Sequence, residues 1–216
     1  RSRIEAVASF YSFLYMRPRG KYRILFSDNI TDRMLGSIAL FDHMCHRLKL
    51  RPGQVSDDGL VSVDLTSCTG MCDQGPAILV NNRAITRMTQ TRLGEMVGLI
   101  RQETPVTEWP AEWFAVEDNI RRRDILLDHG LAPGQALAAA LKLSPEKMLA
   151  EIKDARLRGR GGAGFSTGLK WEACRNASGS GANPAHYVVC NADEGEPGTF
   201  KDRVLLTSYA DLVFEG

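Results

Sequence analysis

Apolar and polar positions recur along the chain in blocks that predict a run of short elements. The opening stretch, Ile4-Glu-Ala-Val-Ala-Ser-Phe10-Tyr-Ser-Phe13, is apolar and aromatic enough to pack a helix against something larger. Tyr22-Arg-Ile24-Leu-Phe26 alternates as a strand does, and Met34, Ile38, Phe41, Cys45 and Leu48 follow the three-and-four spacing of an amphipathic helix. Val61-Ser-Val63-Asp-Leu65 alternates again, and Ala77-Ile-Leu-Val80 reads as a third strand. Asn81-Asn82 predicts a hairpin turn into Arg83-Ala-Ile-Thr86. Leu93, Met96, Val97 and Ile100 then line one face of another helix. The order β-α-β-β-α predicts one small α/β domain over 21–102, behind a helical lead-in at 1–20.

The texture changes at Glu103. Two prolines, Trp109 and two acids between Glu103 and Pro110, followed by Trp113, predict a linker over 103–143 that drapes over a neighbour, its tryptophans acting as pegs rather than core. Arg121-Arg122-Arg123 could meet a phosphate, but beside Asp118 and Asp124 it reads as a solvated charge run. Ser144-Pro145 supplies an N-cap and a first-turn proline for a helix through Met148, Leu149, Ile152 and Ala155. Residues 144–216 are expected to be only the N-terminal part of a second α/β domain.

Composition narrows the classes. The chain has 216 residues, 44% of them hydrophobic and 25% charged, which is enough for one large or two small domains. A net charge of +1 gives no overall pull toward nucleic acid or an anionic membrane. No apolar run nears the ~20 residues of a spanning helix, and no signal peptide is visible, so a soluble chain is expected. The start at Arg1 points to a fragment or a processed chain. Five cysteines are too few for a secreted disulfide framework of this length, which points to a reducing, cytoplasmic compartment. Cys45, Cys174 and Cys190 read as small core residues. His43 and His46, three apart, read as a half-exposed helix face, and His129 and His186 have no partner visible in the sequence.

Two segments carry candidate chemistry. Arg158-Gly-Arg-Gly-Gly-Ala-Gly164 is the densest glycine cluster, and Gly159, Gly161 and Gly164 fit G-x-G-x-x-G. The dinucleotide fingerprint should follow a strand, whereas a helix precedes it here, and the surroundings of Lys170 exclude a Walker A loop. What remains is a backbone able to pass close to a flat or phosphorylated ligand with N–H groups facing anionic oxygens, Arg160 and Lys170 adding positive charge. The second segment begins with His186-Tyr-Val-Val-Cys190, which reads as a buried strand. It ends in Asn191-Ala-Asp193-Glu194-Gly195-Glu196-Pro197-Gly198-Thr199-Phe200, acids and an amide at the end of a strand where α/β sheets bind ligands. Carboxylates there accept hydrogen bonds from hydroxyls or an amide. An acidic turn and a magnesium loop are the alternatives, and the spacing excludes an EF-hand.

Together, Arg156 through Trp171 and Asn191 through Arg203 closely resemble the two signature loops of the FMN-binding subunits of NADH dehydrogenases, in that family's order. The family includes the flavoprotein subunit of respiratory complex I and the diaphorase subunits of NAD-reducing hydrogenases and NAD-dependent formate dehydrogenases. The resemblance implies that Gly159, Arg160, Gly161, Gly162, Gly164 and Lys170 hold FMN and that Asn191, Asp193 and Glu194 take its ribityl chain and ring edge. It further implies that Phe165 stacks on NAD(H) and that Glu196 holds NADH over the flavin. Hydride would pass between the two cofactors, with no catalytic side chain required.

Val7 through Phe13, Gly20-Lys-Tyr22 and Cys68-Thr-Gly-Met-Cys72-Asp-Gln-Gly-Pro76 are similar to the thioredoxin-like 2Fe–2S module of the same enzymes. Fusion of that module ahead of the flavin module favours a soluble NAD-reducing hydrogenase, with formate dehydrogenase and complex I as alternatives. The partners implied are an iron–sulfur electron-transfer subunit and a hydrogenase (or formate dehydrogenase) catalytic subunit. A non-catalytic docking fragment is the alternative from another class. The related module uses four cysteines, and Cys68 and Cys72 match one pair while Ser27 and Asp32 stand at the other. Two oxygen ligands suit such a cluster poorly, so its loss is expected, leaving idle thiols or a redox-labile pair. The surviving pair argues the other way. The family's 4Fe–4S cysteines and further flavin contacts would follow Gly216, and a flavin pocket without them should bind weakly.

Overall fold

The computed structural model describes residues 2–11, 14–128, 130–177 and 186–215, with the backbone alone at 125 and 126. His129 and the last two residues of the opening aromatic run, Ser12 and Phe13, lie outside them. The chain forms two compact units, Arg1–Ile120 with Asp193–Val204, and Arg121–Ala192 with Leu205–Gly216.

In the first unit, α1 (Ser2–Phe10) is followed by β1 (Tyr22–Ser27), α2 (Ile30–Met34), α3 (Ser37–Leu48), β2 (Val61–Thr66), β3 (Ile78–Val80), β4 (Arg83–Ile85) and α4 (Gln90–Arg101). The sheet order is β2-β1-β3-β4. β1 runs parallel to β2, Tyr22 opposite Val61, and antiparallel to β3, Phe26 opposite Ile78. The hairpin between β3 and β4 turns on Asn81 (φ 49°) and Asn82 (φ 68°), the left-handed pair that a two-residue hairpin needs. Asn81 also accepts from the Arg23 N–H at 2.8 Å, tying the turn to the central strand.

The core lies between the sheet and its helices. Ile24, Phe26, Val63, Ile78, Val80 and Ile85 are buried against Leu40, Phe41, Met44 and Cys45 of α3 and Leu93, Met96, Val97 and Ile100 of α4. Each such side chain contributes roughly 1.5–3 kcal/mol relative to exposure. The helix expected from Met34 is in fact two. Gly36, at φ 91°, separates α2 from α3, so Met34 points to solvent and the buried face becomes Ser37, Leu40, Phe41, Met44 and Cys45.

Two expectations are corrected. Trp109 and Trp113 belong to the core, because short 3₁₀ turns started by Pro105 and Pro110 fold their indoles back onto the sheet. Trp109 stacks on Tyr22 with ring centroids 5.9 Å apart, and its indole N–H and the Tyr22 hydroxyl both donate to the Thr104 carbonyl. Gln74, buried, then exchanges two 2.9 Å hydrogen bonds with the backbone of Glu117, so the stretch read as linker is first-unit structure through 120. Second, α1 exists but buries none of its residues among those described; Ile4 and Phe10 are more than 70% exposed.

The second unit contains α5 (Asp124–Leu127), α6 (Gln135–Ala140), α7 (Pro145–Asp154), α8 (Thr167–Asn176), the end of α9 (Lys201–Ser208) and α10 (Ala210–Glu215). α7 starts as its sequence predicts, the Ser144 hydroxyl accepting from the Lys147 N–H. α7 and α8 meet at Gly168, where a β-carbon would come within 2.6 Å of Lys153 Cγ. Lys153–Glu172 (2.6 Å) and Arg175–Glu146 ion pairs flank that approach. The Arg175 guanidinium holds the Glu146 carboxyl down at about 2. Arg122 pairs with Asp124 in solvent, as a charge run would.

Candidate functional site

The glycine loop lies between α7 and α8 in the second unit. Its ends are tied, Gly159 N–H donating to the Phe165 carbonyl at 2.9 Å and Thr167 N–H to the Leu157 carbonyl at 3.0 Å. Between those ties the chain is open. Gly162 (φ 121°) and Gly164 (φ 63°) hold conformations that side chains disfavour, and a β-carbon at Gly161, Gly162 or Gly164 would meet nothing within 4 Å. The loop runs directly into α8, whose N-cap Ser166 accepts from the Leu169 N–H, with Lys170 in the first helical turn. A helix therefore follows the glycines as in an anion cradle, although the element leading into them is the helix α7 and not a strand. Phe165 and Lys170 are exposed and line a largely apolar cleft of about 920 Å³ with Trp171, Tyr187 and Val188.

The expected strand at 186–190 is not formed. The segment has no regular structure and is exposed, Val188 fully so; no strand among the described residues pairs with it, and an apolar strand needs neighbours on its edges. Cys174 and Cys190 are likewise exposed rather than core, and Cys174 Sγ lies 3.9 Å from His186 Nδ1. Only Cys45 of that trio is buried, and burial pushes its thiol up.

Of the acidic segment, Asn191 belongs to the second unit, and Asp193, Glu194 and Glu196 to the first. Glu194 caps α9, its two oxygens accepting the N–H groups of Asp202 (2.9 Å) and Arg203 (3.2 Å). Its carboxylate thus shapes the segment. Glu196 is exposed and starts a turn closed by Thr199, whose N–H and hydroxyl donate to its carbonyl at 3.1 and 2.7 Å.

This segment packs on the cysteine loop of the same unit. Gly198 N–H points at Cys72 Sγ at 3.2 Å, and Arg203 pairs with the buried Asp73 carboxylate at 2.6 Å while reaching Met71 Sδ. The sulfurs of Cys68 and Cys72 are 3.2 Å apart, and Gly70 N–H points at Cys68 Sγ. Burial pushes the Cys68 thiol up. Ser27 and Asp32 are completely buried and joined by Asn29, whose amide donates to the Ser27 hydroxyl and the Asp32 carboxylate at 2.7 Å each and lies 3.9 Å from Cys72 Sγ. Asp32 also accepts the Ala77 N–H at 2.9 Å. Asn29, Asp73, Gly198 and Arg203 escape a reading of the sequence as site residues. Only Asn29 carries a local signal, an N-cap ahead of Ile30-Thr31-Asp32.

A family model of thioredoxin-like [2Fe-2S] ferredoxins matches residues 1–101, and one of the Nuo51 FMN-binding domain matches residues 152–216. The chain is thus similar to a thioredoxin-like [2Fe–2S] ferredoxin over its first part and to the start of a Nuo51 FMN-binding domain over its last. Over 99% of its length it is 38% identical to the NAD-reducing hydrogenase HoxS subunit alpha of Cupriavidus necator, of which it spans 37%. A component of the NADH-quinone oxidoreductase of Salmonella typhimurium is 48% identical over 81 residues, 38% of this chain and 18% of that protein. The crystal structure of an NAD⁺-reducing [NiFe]-hydrogenase in the air-oxidised state is similar with a TM-score of 0.87 and 41% identity, covering 99% of this chain and 37% of that one.

The residues present fit the two family cofactors unequally. The Nuo51-type loop fits the phosphate of FMN, offering open backbone at a helix start with Lys170 beside it. The ferredoxin module does not fit a 2Fe–2S cluster. Such clusters take four thiolates, and here two of the four positions are hydroxyl and carboxylate groups already spent on Asn29 and Ala77. Among the described residues, no group of three or more His, Cys, Asp or Glu side chains could hold a metal ion.

Proposed function

We propose that this chain is the FMN- and NAD(H)-binding front of the diaphorase subunit of an NAD-reducing hydrogenase. The observation that carries the reading is the glycine loop, tied at both ends and opening into α8. Its N–H groups and the Lys170 ammonium take the FMN phosphate, and Arg160 adds charge at the loop's outer edge. Phe165 offers an exposed ring for a nicotinamide or adenine, and Asn191 of the same unit offers its amide to ribityl or ribose hydroxyls. Glu194 holds the acidic segment in shape through the α9 cap.

When bound, FMN supplies two-electron exchange with NAD(H) and one-electron exchange with iron–sulfur centres. The protein's part is to fix two rings face to face and exclude water, which needs no nucleophile. The hydrogenase relative matches both modules, whereas the NADH-quinone oxidoreductase relatives match 38% of the chain, which favours the hydrogenase setting. The partners are then an iron–sulfur electron-transfer subunit and the hydrogenase catalytic subunits, in the cytoplasm. No helix among the described residues is long and apolar enough to cross a membrane. The test is anaerobic mixing of the chain, supplied with FMN, with NADH. Flavin bleaching faster than that of free FMN is expected, and bleaching at the free rate contradicts the reading.

A further inference from the structure

The cysteine loop of the first unit holds two thiols that the flavin chemistry does not use. We propose that Cys68 and Cys72 form a reversible dithiol–disulfide pair where related modules hold a cluster, and that its closure releases the acidic segment Asp193–Arg203. The placement of the pair rests on side-chain geometry and does not depend on the flavin assignment.

Three observations converge. The two sulfurs lie 3.2 Å apart on a loop that already turns at Gly70 (φ 75°), so a bond requires a small rotation and no refolding. Cys68 lines a cleft of about 650 Å³ with Tyr15, Asn29, Ser67 and Pro197, so a small reagent reaches it from one side. The Gly198 N–H points at the sulfur of Cys72 at 3.2 Å. The Asn29 network takes up Ser27 and Asp32, so the two thiols face each other without either oxygen group between them in a hydrogen bond to Cys68.

The chemistry balances with a low-molecular-weight disulfide of the glutathione type as oxidant. The Cys68 thiolate attacks one sulfur of the reagent, breaking its S–S bond and expelling one thiolate, which takes up a proton. The Cys72 thiolate then attacks the mixed disulfide at Cys68 Sγ and expels the second thiolate. Two electrons and two protons leave the protein, and one disulfide becomes two thiols. Turning Cys72 toward Cys68 withdraws its sulfur from the Gly198 N–H, one of the contacts by which the cysteine loop holds the acidic segment. The contacts of Arg203 with Asp73 and Met71 remain in place.

The test equilibrates the full chain in mixtures of reduced and oxidised glutathione, alkylates it, and maps thiols by peptide mass alongside amide exchange over 193–204. Cys68 and Cys72 are expected to lose reactivity together with one midpoint, while Cys174 and Cys190 report separately. Cys72→Ser is expected to accumulate a glutathione adduct at Cys68. Exchange at Gly198 is expected to rise at least tenfold on oxidation. Both thiols remaining alkylated at every ratio overturns the pair, as does a 2Fe–2S paramagnetic signal after supply of iron and sulfide. A disulfide that leaves exchange at Gly198 unchanged overturns the release.

Discussion

The two units of this chain are built by opposite means. The first closes a sheet, two helices and a pair of tryptophans around an apolar core, and among the described residues every buried apolar side chain except Val204 lies between Tyr22 and Trp113. Among the described residues of the second, no apolar side chain is buried to that degree. Its shape comes from caps, ion pairs, the close approach at Gly168 and the two ties of the glycine loop. Packing therefore carries stability in one unit, and in the other the proposed ligand recognition rests on backbone geometry. The unit with the core lacks two of the four thiolates that a 2Fe–2S cluster takes, and the unit without one carries the proposed flavin loop.

The largest effect that would break this contrast is in the first core. Trp109→Ala removes the stack on Tyr22 and the Thr104 hydrogen bond, and should cost about 3–5 kcal/mol in chemical denaturation followed by near-ultraviolet circular dichroism. Asp32→Ala leaves the Ala77 N–H and the Asn29 amide short of an acceptor, and should cost about 1–3 kcal/mol in the same transition. In the second unit, Gly162→Ala forces a side chain into φ 121°. It should weaken FMN binding about tenfold, ~1.4 kcal/mol, while the first unit's transition stays in place. The smallest effect is electrostatic. Glu146, held at about 2 against an ordinary 4.5, favours α7–α8 pairing above pH 4.5, and that benefit fades as the pH falls toward 2. Helical ellipticity at low salt should show the loss, and Arg175→Gln should remove its pH dependence in that window.

Alternation and three-and-four spacing make the first sheet legible, together with α4 and the Asn81-Asn82 turn, because there each face meets one environment. Trp109 and Trp113 mislead because a Pro-rich stretch without periodicity looks like a linker, and only tertiary contact shows where the indoles go. Residues 186–190 have a buried strand's composition, but a strand also needs a partner, which composition does not encode. The Arg203–Asp73 pair spans 130 positions, and no local pattern announces it. The glycine loop is legible for a different reason. Its chemistry lies in the backbone, and glycine spacing displays backbone freedom directly.

The most direct test of the account compares FMN with riboflavin, which lacks only the phosphate, in equilibrium titrations of this chain and its Lys170→Gln variant. The account predicts that FMN binds at least tenfold more tightly than riboflavin, about 1.4 kcal/mol, and that Lys170→Gln removes most of the difference. Equal affinity for the two flavins, or a preference that survives the substitution, would contradict it.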